Sequence, residues 1–335
     1  MAHKIESTAK IKQKNMNRLW HLLRQVDHAT VSQLAEWSGL SVVTTTALTK
    51  ELLQRGQIEQ DSIIQPQLGR PAVAYRFAAE YKLILLIYTI EHDQLDYVYF
   101  SVCNLRGDSI YSLKQPLPTP MINSFDETIK SLIGKFPLIS CIGLGLPVGS
   151  EFQDKLIASD YPFLQDMPLR THLSERFNLP VIIENDINAA AYGYCHTHHL
   201  ENKCLVSVFF PYKYTPGAGI YLNGQLVKGQ NGLAGACQYL PFGEDWQASR
   251  DDPHAQCEIV IRLIRIFTYL LNPHVIVLYW DRPAPNIMEL LQRTCHCKAE
   301  RVMLPSLVIS DQMLSDFQTG LTQLTLHTFF QSISQ

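Results

Sequence analysis

Residues 179–193 read Leu179-Pro180-Val181-Ile182-Ile183-Glu184-Asn185-Asp186-Ile187-Asn188-Ala189-Ala190-Ala191-Tyr192-Gly193. Val181 to Glu184 is a short apolar run of strand length, and Ile187 to Tyr194 has the composition of a helix. A strand that passes straight into a helix is the unit from which α/β layers are built. Asp186 stands at the N-terminal end of that helix, where a carboxylate complements the helix dipole.

The same alternation extends outward from this stretch. Apolar runs at Leu83 to Ile90, Asp96 to Cys103, Ile139 to Leu144, Cys204 to Phe210, Ala218 to Leu222 and Val275 to Leu278 predict strands. Helical patterns lie between and after them at Ser124 to Lys135, Leu169 to Phe177, Cys257 to Leu271 and Gln312 to Phe329. From Tyr81 onward the chain therefore reads as an α/β body. No internal repeat stands out, and the polar stretch from Gly243 to Cys257 reads as a surface loop.

The segment before residue 80 is different. Ile11 to Val26 places Met16, Leu19, Trp20, Leu23 and Val26 on one helical stripe. Thr30 caps a short helix from Val31 to Trp37 with Val31, Leu34 and Ala35 inward, and Gly39 ends it. Ser41 caps a third helix running to about Arg55, with Val43, Leu48 and Leu52 as its core positions. Ser41, Thr44, Thr46 and Lys50 then face outward. Gln57 to Gln60 and Tyr75 to Ala78 form two strands around the tip Gln65-Pro66-Gln67-Leu68-Gly69-Arg70-Pro71. Helix, turn, polar-faced helix and hairpin together make a winged helix-turn-helix. Its DNA-binding candidates are Ser41, Thr44, Thr46 and Lys50 on the third helix, with Gly69 and Arg70 at the wing tip, where an Arg can enter a narrow minor groove. The third helix holds no Arg, so base readout is expected to rest on hydroxyls and shape.

Charge follows the same division. The chain has 335 residues and a formal net charge of −3, but residues 1–80 carry ten Lys or Arg against seven Asp or Glu. Lys4, Lys10, Lys12, Lys14, Arg18 and Arg24 face only Glu6 in the first 24 residues. A cationic module on an anionic body suits a nucleic-acid partner. No signal-peptide pattern is seen, and the longest apolar stretch, Leu83 to Tyr88, is too short to span a bilayer. The eight cysteines lack paired spacings, which predicts reduced thiols and a cytoplasmic chain without a membrane partner.

QLGRPAVAYRF (67–77), IGLGLPVGS (142–150), LPVIIENDINAAAYG (179–193), PGAGIYLNGQLVKGQNGLAG (216–235) and LLNPHVIVL (270–278) follow one another in an order that resembles the ROK family of repressors and sugar kinases. The resemblance covers roughly residues 10–330. It implies an actin-like sugar-kinase body of two α/β lobes with a cleft between them. In members with a winged helix it implies a homodimeric or homotetrameric regulator of carbohydrate genes.

Set against the family's patterns, the chain departs at the sites of chemistry. Asp186 matches the family's catalytic base and Asn185 its sugar-binding neighbour. However, LILLIYTIEHDQLDYVYF (83–100) has no glycine where kinases have a phosphate turn. Lys213 to Gly219 puts Pro216 and bulky groups in the second phosphate segment, and Tyr279-Trp280 stands where paired glycines are usual. The sugar-contacting Glu and His are replaced by Ala236 and Tyr239, and the family's zinc cysteines are missing. Neither Cys195-His196-Thr197-His198-His199 nor Cys295-His296-Cys297 has the spacing of a complete metal site. What remains for a sugar or sugar-phosphate effector is Asn185 and Asp186, with Asn231 and Gly232 opposite and the loop from Gly145 to Gly149.

The reading is of two domains, residues 1–80 and 81–335: a winged helix-turn-helix on a degenerate sugar-kinase body. It describes a DNA-binding regulator of the repressor kind, acting on a double-stranded operator, without catalysis, cofactor or metal. An ATP-dependent sugar kinase and a ligand-independent scaffold that only dimerises or docks another protein are the alternatives.

Overall fold

The computed structural model describes residues 8–64, 72–92, 95–117, 122–152, 155–159, 164–211, 214–241, 252–281, 287–295, 297, 301 and 303–333. Helix α1 (Thr8–Arg24) lies against α2 (Val31–Ser38) and α3 (Val42–Gln54). The caps form as the sequence predicts. Thr30 Oγ1 accepts from Gln33 N at 3.3 Å, and the Gln33 side chain accepts from Thr30 N at 2.9 Å, which closes a capping box. Gly39 ends α2 at φ 67°, and Ser41 Oγ accepts from Thr44 N to start α3.

Three short strands complete this unit: β1 (Ala29–Thr30), β2 (Ile58–Ile64) and β3 (Ala72–Phe77), antiparallel in the order β1-β3-β2. The hairpin is longer than the sequence predicts, and β1 escapes prediction because two residues carry no periodicity. Met16, Leu19, Trp20 and Leu23 are buried, as are Leu48 and Leu52. Val43 is not a core residue; it is 81% exposed. Thr45 and Thr49 take the inward positions, because the stripe that buries Leu48 and Leu52 passes through them and leaves Val43 on the opposite side.

The body contains two sheets of the same design. One runs β10-β7-β4-β5-β6, from β4 (Leu83–His92), β5 (Leu95–Asn104), β6 (Ser109–Pro116), β7 (Ile139–Leu146) and β10 (Val181–Asn185). The other runs β13-β12-β11-β14-β15, from β11 (Cys204–Phe210), β12 (Gly217–Leu222), β13 (Gln225–Leu226), β14 (Val275–Trp280) and β15 (Ser306–Ser310). In each, an antiparallel three-strand meander precedes two parallel strands connected through helices. These helices are α4 (Asp126–Lys135) and α5 (Leu169–Phe177) in the first lobe, α7 (Pro253–Leu271) and α8 (Ile287–Arg293) in the second. A hairpin, β8 (Val148–Phe152) with β9 (Lys155–Ser159), is inserted after β7. The architectural repeat that no sequence repeat announces is therefore present. The stretch expected as loop to Cys257 is already helical from Pro253, capped by Asp252, whose side chain accepts from His254 N and Ala255 N.

Each lobe ends on a helix that crosses to the other. Helix α6 (Asp186–Thr197) follows β10 but packs on β11 and β12; α9 (Met313–Ser332) follows β15 but packs on β4 and β7. The two helices meet at Gly193 and Gly320. A Cβ on Gly320 would lie 1.8 Å from the Ala189 carbonyl oxygen, and one on Gly193 would lie 1.9 Å from that of Asp316. Only glycine permits this backbone approach.

Helix α9 also reaches the N-terminal unit. Phe330 is buried and packs edge-on to Trp20, with ring centroids 5.3 Å apart, while Arg24 lies over its ring at 4.5 Å. The far end of the body thus completes the core around Trp20, whose indole N–H donates to Gln57 O at 2.8 Å.

Candidate functional site

Two places combine exposed polar groups with a built frame. The first is α3, where Ser41, Thr44, Thr46 and Lys50 are all exposed. Their frame is rigidly tied: Glu51 pairs with Lys12 of α1 and, at 2.6 Å, with Arg55, and Lys12 first and then Arg55 hold its carboxyl below the usual carboxylate range. Arg76 and Glu59 pair across the β2–β3 hairpin at 2.7 Å. Gly69 and Arg70 lie outside the described residues.

The second place is the junction of β10 and α6, facing the loop after β13. Asn185 caps α6, its side-chain oxygen accepting from Ile187 N at 3.1 Å and Asn188 N at 3.2 Å. Asp186 occupies the first turn, with Oδ1 accepting from Ile187 N at 2.8 Å. Their neighbour Glu184 is absent from the residues predicted from sequence. It is 3% exposed and accepts from Asn185 N and from Asn188 Nδ2, and Lys228 Nζ lies 2.6 Å from its Oε2. Lys228 belongs to the second lobe and Glu184 to the first, so this ion pair joins the two lobes beside the candidate effector residues. A carboxylate at the last buried position of a strand is the signal that marks it.

Asn231 and Gly232 lie in that same loop, which closes on itself through Ala234 N and Lys228 O at 3.1 Å. The loop is thus anchored to the β10–α6 junction through Lys228. The residues of the loop from Gly145 onward divide: Leu146 ends β7 and Val148 opens β8.

The turns expected for phosphate are differently built. The β4–β5 ladder runs without a register break from Leu83–Asn104 to His92–Leu95. Tyr279 and Trp280 are buried at the end of β14, paired through to Phe210–Trp280. The Tyr279 hydroxyl donates to Asp316 Oδ2 at 2.8 Å, and burial raises the pKa of both groups. On the first lobe Gln318 Nε2 donates to the Tyr88 hydroxyl at 2.8 Å. One end of α9 is therefore held by both lobes.

Among the described residues no group of three His, Cys, Asp or Glu side chains converges on a metal position. Cys195 is buried and pushed up to about 12 by desolvation, and His198 stacks on Tyr194 at 3.9 Å. His296 lies outside the described residues. No helix among them is long and apolar enough to cross a membrane.

Residues 101–257 match the model of the ROK family. The xylose repressor of Caldicellulosiruptor bescii is 25% identical over 66% of this chain and 57% of its own length. The DNA-binding transcriptional dual regulator NagC of Escherichia coli is 24% identical over 70% of this chain and 59% of its own. The matches thus span under two thirds of these relatives. Among solved structures, a ROK family transcriptional regulator described as a homologue of E. coli MLC superposes over 97% of this chain and 99% of its own, with TM-score 0.64 and 19% identity. The ROK hexokinase of Thermus thermophilus covers 72% of this chain and 97% of its own, with TM-score 0.54 and 19% identity. The fold of the two lobes is shared by regulators and kinases alike. Over residues 101–257, therefore, the chain is similar to the ROK family.

Proposed function

We propose that the chain is a DNA-binding transcriptional regulator, a repressor of carbohydrate-related genes, whose two-lobed body senses a sugar-like effector without phosphorylating it. The observation that carries this is the exposure of Ser41, Thr44, Thr46 and Lys50 on α3, in a three-helix and hairpin unit whose core the body's own last helix completes. In such a unit the third helix enters the major groove and the wing contacts the backbone. Two copies, arranged as a homodimer or a pair of dimers, would bind two half-sites.

The relatives' names favour sugar control: one is a xylose repressor, and others are N-acetylglucosamine repressors. In the body, Asn185, Asp186, Asn231 and Gly232 would meet the effector, next to the inter-lobe pair of Glu184 and Lys228. A ligand that favours one separation of the lobes shifts that pair and, through α9, the seating of the winged helix; the shift is limited by its differential affinity for the two states. Catalysis is disfavoured because phosphoryl transfer needs open, donor-rich phosphate turns. Here buried Tyr279 and Trp280 occupy one of them.

The test is selection of duplexes from a random library by the full chain, then binding with and without xylose, N-acetylglucosamine and their phosphates. Enrichment of one sequence whose affinity a sugar lowers is expected. Asp186→Asn should abolish that sugar response and leave binding by the unliganded protein unchanged. ATP turnover on any sugar of the panel, or no enriched sequence, refutes the reading.

A further inference from the structure

Helix α3 turns its two valines outward. Val43 is 81% exposed and Val42 55% exposed, while the inward face is made by Thr45, Leu48, Thr49 and Leu52. Steps of three, four and seven residues from Val43 reach Thr46, Ala47 and Lys50, all exposed, so these four form one stripe. The stripe begins at the helix N-terminus, the end that approaches base edges in helix-turn-helix proteins.

The hydroxyls near this stripe are already engaged. Ser41 Oγ and Thr44 Oγ1 share a hydrogen bond of 2.8 Å, and Thr46 Oγ1 donates to Val42 O at 2.7 Å. The proton of Thr46 is thereby committed to its own helix. The groups the stripe presents are methyls, ending in the Lys50 ammonium about two turns on. Valine is also a mediocre helix former, so helix stability does not call for it at an exposed position. The one carboxylate of α3, Glu51, is paired with Lys12 and Arg55, which leaves the surface cationic at Lys50. A methyl-bearing, cationic stripe complements the one polyanion whose recognition edge carries apolar groups. In the major groove of DNA the C5-methyl of thymine is the apolar feature that distinguishes base pairs.

We propose that Val43, with Thr46 and Ala47 beside it, reads thymine methyl groups in the major groove, so that Val43 fixes a thymine in each operator half-site. This rests on the DNA-binding reading above and adds an apolar contact to the hydroxyl readout expected from sequence.

Deoxyuridine tests it, since it keeps every hydrogen bond of thymine and lacks only the methyl. Duplexes recovered by selection with the full-length chain are resynthesised with each thymine replaced singly by deoxyuridine. One position per half-site should bind about three- to five-fold more weakly, the worth of one buried methyl group. Val43→Ala, a change that favours helix at an exposed position, should weaken binding to the thymine duplex by a similar factor and bind both duplexes equally. Tight, salt-dependent binding that is indifferent to deoxyuridine everywhere overturns methyl readout and leaves DNA binding standing. An undiminished deoxyuridine penalty in Val43→Ala overturns the assignment to Val43. Failure to enrich any duplex removes the DNA-binding reading and this inference with it.

Discussion

Truncating Phe330 tests whether the body and the N-terminal unit share a core. Phe330 sits near the end of α9 and is 5% exposed. Its ring lies 5.3 Å from that of Trp20, 4.9 Å from that of His21, and beneath the Arg24 guanidinium at 4.5 Å. Trp20 in turn stacks on Phe77 at 5.5 Å and meets Tyr81 edge-on at 5.9 Å. Phe330→Ala therefore opens a cavity against the largest buried side chain of the N-terminal unit. Removing a buried phenylalanine costs about 3–5 kcal/mol in transfer and cavity terms. The upper half of that range applies here, because an edge-on aromatic pair adds about 0.5–1.5 kcal/mol and the cation over the ring about 0.5–1 kcal/mol. Urea unfolding followed by tryptophan fluorescence reports it directly, since Trp20 packs against the truncated ring. The transition of the N-terminal unit should fall by at least about 1 M, given slopes of roughly 1–3 kcal/mol per molar urea. The same variant should bind DNA with little response to effector at temperatures where it stays folded. An unchanged midpoint would show that the unit is stable without α9, and the proposed path from the effector residues to the N-terminal unit would fail.

Three further outcomes follow from other parts of the molecule. Lys50→Ala should weaken operator binding and lower the slope of log affinity against log salt by about 0.9, as expected when one fewer phosphate is neutralised; an unchanged slope places Lys50 away from the backbone. Gly320→Ala sets a methyl 1.8 Å from the Ala189 carbonyl, so α6 and α9 must move apart, and thermal unfolding should show destabilisation by about 1–3 kcal/mol or more; a wild-type melting temperature would refute the close crossing. Burial raises the pKa of Asp316, so the folded protein holds that proton more tightly than the unfolded chain. Stability from this group therefore falls as pH rises from the ordinary value of 3.8 through the folded pKa, and Asp316→Asn should be more stable than wild type at pH 7, with the gap closing toward pH 4; a gap independent of pH contradicts that titration.

Much of the local structure is legible in the sequence because its causes are local. Thr30, Gly39 and Ser41 mark helix ends through bonds to residues within four positions, and they stand where the chain turns. The strand-to-helix step at Asn185 and Asp186 is local too. The candidate site is legible as residue types, since Asn185 and Asp186 lie in one motif. Its inter-lobe pair is not, because Glu184 and Lys228 are joined only when two lobes fold against each other.

By itself the sequence determined the caps, the α/β alternation, the cationic N-terminal module and the altered residues at three turns where kinases hold phosphate. Each of these is a property of neighbouring residues or of composition. Only the tertiary structure decided which side of α3 is inside. Helical periodicity groups residues into faces but does not say which face meets a neighbour, and Val43 suited either until α1 and α2 took the side of Thr45, Leu48 and Thr49. The same holds for the repeated lobes, whose equivalent strands share order but not sequence, and for Phe330, which lies 310 positions from Trp20. Contacts at that separation are made by packing, and packing depends on the whole surface each element presents, not on the order of residues within it.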